Sequence, residues 1–464
     1  MADHFDCIVV GGGPGGYVAA IRAAQLGLQT ALVEREHLGG ICLNWGCIPT
    51  KSLLHTADVY REIANASALG INVGSVDFDL SAVVARSRAV ANQLSQGIGM
   101  LMRKNKITVF DGQARLDGPG RLLVSLDDGV DAELAADAIV LATGARPKSL
   151  PNIEIDGQKV WSYREAMVPT ELPKRLLVIG AGAIGIEFAS FYNTLGSDVT
   201  VVEVLPQILP VEDDEIAELA RAAFDAQGIE IHTGAKVLSV TTSDAGLVAE
   251  IETAAGITER EFDRAILSVG VAGNVEDLGL ETTAVKVAGG FIQAGDYQET
   301  AEPGIFAIGD VAGVPCLAHK ASHEGTICAE YIADGTPHPL NRDRIPGCTY
   351  CHPQVASVGL TERAAAESNR EVKIGRFPLI GNGKAVAVGD TDGLVKTIFD
   401  ASTGELLGAH MVGPTVTEMI QGFVVAMGLE STEVELIEAI FPHPTVSESM
   451  HEAVLAAHGR ALHI

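Results

Sequence analysis

The chain has 464 residues, about three times the length of a typical domain, and 47 % of them are hydrophobic, enough for several cores and incompatible with disorder. Lys and Arg number 32 against 60 Asp and Glu, and the resulting net charge of −28 repels phosphate backbones and anionic lipid, which excludes nucleic acid and membranes as partners. Seven cysteines make no disulfide scaffold, the longest uncharged stretch is shorter than the roughly 18 residues of a spanning helix, and no basic leader precedes the first strand, so a cytoplasmic, multidomain protein is expected.

A buried strand pattern, Phe5-Asp6-Cys7-Ile8-Val9-Val10, runs into Gly11-Gly12-Gly13-Pro14-Gly15-Gly16, a helix over 17–26 and a strand over 30–33 that ends in Glu34. The plan recurs at Leu176-Leu177-Val178-Ile179, Gly180-Ala181-Gly182-Ala183-Ile184-Gly185, a helix to about 195 and a strand over 199–202 that ends in Glu203. A spacing of 23 separates Gly11 from Glu34 and Gly180 from Glu203. Apolar strands stopped by Gly144 and Gly270 repeat a third element. Strand, glycine turn, helix and distal acid together are the context of a dinucleotide fingerprint: glycines admit close backbone approach, the helix start takes a pyrophosphate, and the acid accepts from ribose hydroxyls. No Lys or Arg lies between Glu203 and Arg221, so the second site should prefer NAD to NADP.

From about 346 the pattern changes to short alternating runs at 372–377, 385–388, 394–399 and 406–412, expected as antiparallel strands, followed by helices over 417–428, 432–440 and 446–458. The expected class is α/β, two tandem Rossmann-like domains plus a C-terminal α+β dimerisation domain. The expected domains are a first FAD-binding part at 1–147, an NAD-binding domain at 148–272, a central FAD-binding part at 273–345 and an interface domain at 346–464.

Between the first repeat's acid and the next helix stands Gly40-Ile41-Cys42-Leu43-Asn44-Trp45-Gly46-Cys47-Ile48-Pro49-Thr50-Lys51. Closing so short a loop with a disulfide would contribute only about 2 kcal/mol, a poor staple. Pro49 suits the first position of a helix over 49–66, whose start would favour a thiolate at Cys47 with Cys42 one short loop away. The residues alone read as a switchable dithiol or as two core cysteines.

This segment resembles the active-site signature of the flavin-dependent pyridine nucleotide–disulfide oxidoreductases, in particular the branch that oxidises dihydrolipoyl groups. Ala142-Thr143-Gly144, Ile308-Gly309-Asp310, Leu317-Ala318-His319-Lys320 and His443-Pro444-Thr445-Val446-Ser447-Glu448 extend the resemblance over essentially the whole chain. It implies one non-covalent FAD per subunit, held by Gly11, Gly13, Gly16, Glu34, Lys51, Thr143 and Gly144, with Asp310 on the ribitol, Leu317 and Ala318 at the isoalloxazine edge, and Gly112 and Ala114 near the adenosine half. NAD would be held by Gly180, Gly182, Gly185, Glu203, Val237 and Gly270. Cys47 would face the flavin as the charge-transfer thiolate, and Cys42 would exchange disulfides with substrate. Lys51 and Glu187 would pair beside the flavin, although the residues alone allow two separately solvated side chains.

A dithiol titrating above pH 8 needs a base, and His443, oriented by Glu448, is the candidate. By resemblance the histidine comes from the other subunit of a homodimer. The substrate implied is the dihydrolipoyl dithiol on lipoyl domains of acyltransferase or glycine-cleavage carrier proteins, oxidised with NAD+. Relatives using NADP, or carrying extra C-terminal cysteines, fit less well, since no Cys follows Cys351. A scaffold-only subunit is disfavoured because Cys42, Cys47 and His443 are all present. Cys348-Thr349-Tyr350-Cys351-His352 matches the haem-attachment pattern, but haem is not expected in a cytoplasmic chain; nor is zinc, because no second Cys pair has ligand spacing.

Overall fold

The computed structural model describes residues 3–127 and 129–464, which divide into two compact units. Of the described residues, the first comprises those within 3–53, 81–148 and 270–340, and the second Leu54–Leu80, Ser149–Val269 and Asn341–Ile464.

In the first unit, strand Asp3–Val10 lies parallel between Thr30–Glu34 and Asp131–Leu141. Ile305–Ala307 extends the sheet beyond Asp131–Leu141, and Thr108–Leu116 extends it beyond Thr30–Glu34. The parallel strands are nearly continuous apolar runs because both faces are covered. Val10, Val33, Leu141 and Ala307 stand in register, so the loops leaving them open at one carboxyl edge, where a parallel sheet binds its ligand.

The second unit repeats the design. Parallel strands run in the order Glu230–Thr233, Asp198–Glu203, Arg175–Ile179, Arg264–Leu267, Val160–Trp161, again with Ile179, Val202 and Leu267 in register. The C-terminal residues form a five-stranded antiparallel sheet, Gly347–Thr349, Gln354–Gly359, Leu406–Gly413, Leu394–Asp400 and Val372–Pro378, with helices Val416–Gly428 and Glu448–Ala457 packed on it. The expected strand at 385–388 is instead the helix Gly383–Val388. Asn382 caps its start and Gly389, in the left-handed region, ends it, so local capping overrides a four-residue alternation.

Lys396, buried on the strand Leu394–Asp400, reaches Asp213 Oδ1 at 2.7 Å, Glu362 Oε2 at 2.6 Å and Glu215 Oε2 at 3.0 Å. Arg376 bonds Glu215 and Glu362 from the other side. Burial pushes the Asp213 carboxyl up, but the Lys396 ammonium and the Glu362 N–H outweigh it and leave it below the usual range. The cluster ties the start of helix Asp214–Ala226 to the antiparallel sheet. No helix among the described residues is long and apolar enough to cross a membrane.

Candidate active site

Each fingerprint builds a cradle that only glycine permits. Gly11 sits at φ +105°, and a Cβ there would lie 2.3 Å from the Ala142 oxygen, while one on Gly16 would lie 1.8 Å from the Gly11 oxygen. Gly180 and Gly185 repeat these clashes against Ser268 O at 2.5 Å and Gly180 O at 2.0 Å. By contrast Gly13 and Gly182, the N-caps of Pro14–Gln25 and Ala183–Thr194, carry no side-chain cap; a Cβ on Gly182 would meet open space and one on Gly13 only the Gly40 Cα at 3.9 Å. Helix-start amides facing open space fit the pyrophosphates of FAD and NAD.

The distal acids are held in matching ways. Glu34 accepts from Gly12 N at 2.6 Å and Glu36 N at 2.8 Å; Glu203 accepts from Ala181 N at 2.7 Å and Leu205 N at 2.8 Å. The carboxylates are thereby fixed at the cradle mouths, where a ribose would present its hydroxyls. Gly144 and Gly270 both have positive φ; a Cβ on Gly144 would meet open space and one on Gly270 only the Lys148 Cδ at 4.0 Å. Gly112 and Ala114 lie on Thr108–Leu116, where a Cβ on Gly112 would meet Ser125 O at 2.4 Å, and Val237 is part of the apolar core of the second unit.

Two supports escape sequence reasoning. Thr143 donates through Oγ1 to Asn274 O at 2.8 Å, and Asn274 Nδ2 donates back to Thr143 O at 2.8 Å. Buried Lys320 donates to Gly309 O and Gly313 O and pairs with buried Glu324 at 3.1 Å, while Glu324 Oε2 accepts from Gly309 N. That pair clamps the turn Gly309–Ala312 on which Asp310 stands, with Leu317 and Ala318 at the start of the helix Ala318–Ile332. Burial raises the Asp310 carboxyl against the opposing charge of Lys320. The i,i+4 spacing of Lys320 and Glu324 was the available signal; their joint burial was not.

Cys42 lies on the short helix Gly40–Trp45 and Cys47 opens the helix Cys47–Ala64. The helix therefore starts two residues before the expected Pro49, because Gly46 O accepts from both Thr50 N at 3.1 Å and Thr50 Oγ1 at 2.7 Å. Pro49 still falls within the first turn, where its missing N–H leaves no bond unmade. The Cys42 thiol is hydrogen-bonded to the side chain of Cys47. The Cys42 thiol is pushed well above its ordinary value by that bond, by burial and by the charge of Cys47, against the ammonium of Lys51. Tyr17 stands within electrostatic reach of both sulfurs, and its phenol is raised by burial and by their charges. Arg88 stacks over the Trp45 ring at 4.2 Å and donates to Asn44 O, holding the short helix in place.

In the second unit, His443 Nδ1 donates to Glu448 Oε1 at 2.9 Å, and Thr445 N donates to Glu448 Oε2 at 2.9 Å. The imidazole is 77 % exposed, leaving Nε2 open to a substrate. Burial lifts the Glu448 carboxyl, but the Thr445 N–H and His443 prevail and keep it below the usual range, so it stays an acceptor. Glu187 is 6 % exposed, and its Oε1 accepts from Tyr350 N at 3.0 Å. Lys51 belongs to the first unit and Glu187 to the second. Cys351 is buried with Sγ against Thr349 O and Pro353 O. Among the described residues no cluster of His, Cys, Asp and Glu suits a metal ion.

Two nucleotide cradles on parallel sheets, with a vicinal dithiol beside the first, define a nucleotide-linked disulfide oxidoreductase. Residues 5–325 match the family described as pyridine nucleotide-disulphide oxidoreductase and residues 345–454 match its dimerisation domain; the chain belongs to this family. Its cofactors are FAD and NAD(H), and it is a homodimer. It is 57 % identical to the dihydrolipoyl dehydrogenase of Zymomonas mobilis and 55 % identical to that of Rhizobium etli, in both cases over 100 % of each chain. The dihydrolipoyl dehydrogenase of Bacillus subtilis is 42 % identical over the same full lengths. The crystal structure of LpdA from Mycobacterium tuberculosis superposes with a TM-score of 0.91 at 27 % identity, covering 98 % of this chain and 99 % of that one.

Proposed function

We propose that the protein is a dihydrolipoyl dehydrogenase. It oxidises the dihydrolipoyl dithiol on lipoyl domains of acyltransferase or glycine-cleavage carrier proteins to the cyclic disulfide and reduces NAD+. The observation that carries this reading is the mutually bonded thiol pair Cys42 and Cys47 at adjoining helix ends, a disulfide in its oxidised form. A thiolate of the substrate attacks Cys42 Sγ and the Cys42–Cys47 bond breaks, leaving the electron pair on Cys47. The second substrate thiolate then attacks its own sulfur in the mixed disulfide, closing the lipoyl ring and freeing Cys42. The helix start at Cys47 favours the thiolate that leaves first.

His443, supplied by the partner subunit, takes the substrate thiol's proton at Nε2 while Glu448 fixes its tautomer at Nδ1. Bound FAD supplies the two-electron chemistry that links the dithiol to the nicotinamide. The fixed carboxylate of Glu203 and the absence of cations after it favour NAD over a 2′-phosphorylated nucleotide. A dithiol that must cycle fits a reducing compartment, here the cytoplasm.

Anaerobic mixing with dihydrolipoamide and either NAD+ or NADP+, followed by absorbance of the reduced nicotinamide, tests the reading. Fast reduction of NAD+ alone is expected. Flavin reduction by NADH with no response to dihydrolipoamide would leave the fold reading and remove the substrate.

A further inference from the structure

The loop that carries His443 is held from outside its own helix. Asn382, 4 % exposed, uses both ends of its carboxamide. Oδ1 accepts from Lys384 N and Ala385 N, each at 2.9 Å, and so caps the helix Gly383–Val388. Nδ2 donates to Thr445 O at 3.0 Å and reaches Val446 O at 3.5 Å. Thr445 is also the residue whose N–H donates to Glu448 Oε2 at 2.9 Å and whose hydroxyl donates to Pro442 O at 2.8 Å. Its N–H is thus held by the carboxylate that orients His443, and its carbonyl by Asn382.

A helix cap needs only an acceptor, which Ser, Thr or Asp would provide equally well. The donor half of Asn382 is therefore surplus to capping, and it is aimed at the loop of the base. The preceding residue, Gly381, carries the second contact of the same turn: a Cβ there would lie 3.1 Å from His463 O and 3.3 Å from the Ile464 side chain. The end of the chain is in turn fastened by Glu452, which accepts from His463 Nδ1 at 2.7 Å and Leu462 N at 2.9 Å, one helical turn beyond Glu448. The turn around Leu379–Gly381 thus braces the His443 loop on one side and the chain terminus on the other.

We propose that Asn382 is a positioning residue for the His443–Glu448 pair, acting through the Thr445 peptide to hold Glu448 and hence the imidazole in the orientation that receives the substrate proton. The proposal rests on the reading of His443 as the base. Its consequence is selective, because the imidazole serves dithiol oxidation and has no part in the exchange of electrons between NADH and flavin.

Asn382→Ser and Asn382→Asp keep the capping acceptor and remove the Nδ2 donor that reaches Thr445 O, and the Asp variant also sets a carboxylate against the Thr445 carbonyl. In the FAD-loaded dimer, kcat for dihydrolipoamide with NAD+ should fall about tenfold for N382S and further for N382D, the size expected when an acid–base group is misplaced. kcat/KM for NAD+ and the anaerobic rate of flavin reduction by NADH should stay at the wild-type level, and N382S added to E448Q should cause little further loss. Wild-type dithiol turnover in N382S, an equal slowing of the NADH step, or losses that multiply with E448Q would each overturn the proposal; should N382D fail to fold, N382S decides alone. H443Q separates the two claims. If H443Q oxidises dihydrolipoamide normally, the base reading falls; if H443Q is slow and N382S is not, only the role of Asn382 falls.

Discussion

His352 shows how a residue singled out by pattern finds a different use. It closes the Cys348-Thr349-Tyr350-Cys351-His352 run, yet its N–H donates to Ser190 Oγ and its carbonyl accepts from Gln227 Nε2 at 2.9 Å, both within the second unit. Burial, and next the charge of Arg61, push the imidazole down to about 4, against the pull of Asp58 and Asp392. An unfolded histidine titrates near 6.5, so as pH falls below that value the unfolded chain takes up a proton that the folded one refuses. The contribution to stability is complete above about pH 6.5 and is lost as pH falls from there to about 4, by up to about 3 kcal/mol. His352→Gln should therefore flatten the fall of the melting midpoint between pH 7 and pH 5, measured by calorimetry on the FAD-loaded protein. An equally steep fall in both proteins would show that another group titrates.

At the scale of elements, what was legible had a local signature. Two glycine turns with a distal acid, a cysteine pair before a proline and a His-Pro turn five residues before Glu448 all declare themselves within about 25 residues, because each depends on backbone geometry rather than on distant partners. The helix Gly383–Val388 was misread because Val386 and Val388 imitate a strand's alternation, and the cap at Asn382 was the stronger signal. Asn274 and Glu324 stayed hidden because their value lies in partners or burial that only the fold creates. The two cradles also predict how single methyl groups act. Gly182→Ala puts its Cβ into open space, so the unliganded protein should melt normally while NADH binds at least about tenfold more weakly, since the methyl stands where the pyrophosphate must go. Gly185→Ala drives its Cβ to within 2.0 Å of Gly180 O, so both the melting midpoint and NADH binding should drop. Equilibrium titration with NADH and thermal melts separate the two, and tight NADH binding by G182A would remove that helix start from the nucleotide site.

The whole molecule is a pair of chains, and the exposed side chains of one chain show why. Ile440 is 98 % exposed three residues before His443, and Ile380, Leu462 and Ile464 also present apolar surface from the C-terminal domain. On the proposed reading, a second copy would cover such a surface and bring its histidine with it. Mixing refolded Cys42→Ser and His443→Gln chains, each inactive alone with dihydrolipoamide, should restore about a quarter of wild-type turnover: half the dimers are mixed, and each of those has one intact site of two. No recovery would place base and dithiol on the same chain. The cluster around Lys396 has a consequence of another kind, for descent. Among the described residues its ammonium is the one cation on buried Asp213 and shares Glu215 and Glu362 with Arg376, so replacing it strands Asp213, and replacing any one of the carboxylates unbalances the rest. An apolar junction of the same volume would hold as well, but only several simultaneous substitutions reach it. A lineage that changes one codon at a time has no gradual exit from this arrangement, and inherits it whether or not it is the best available.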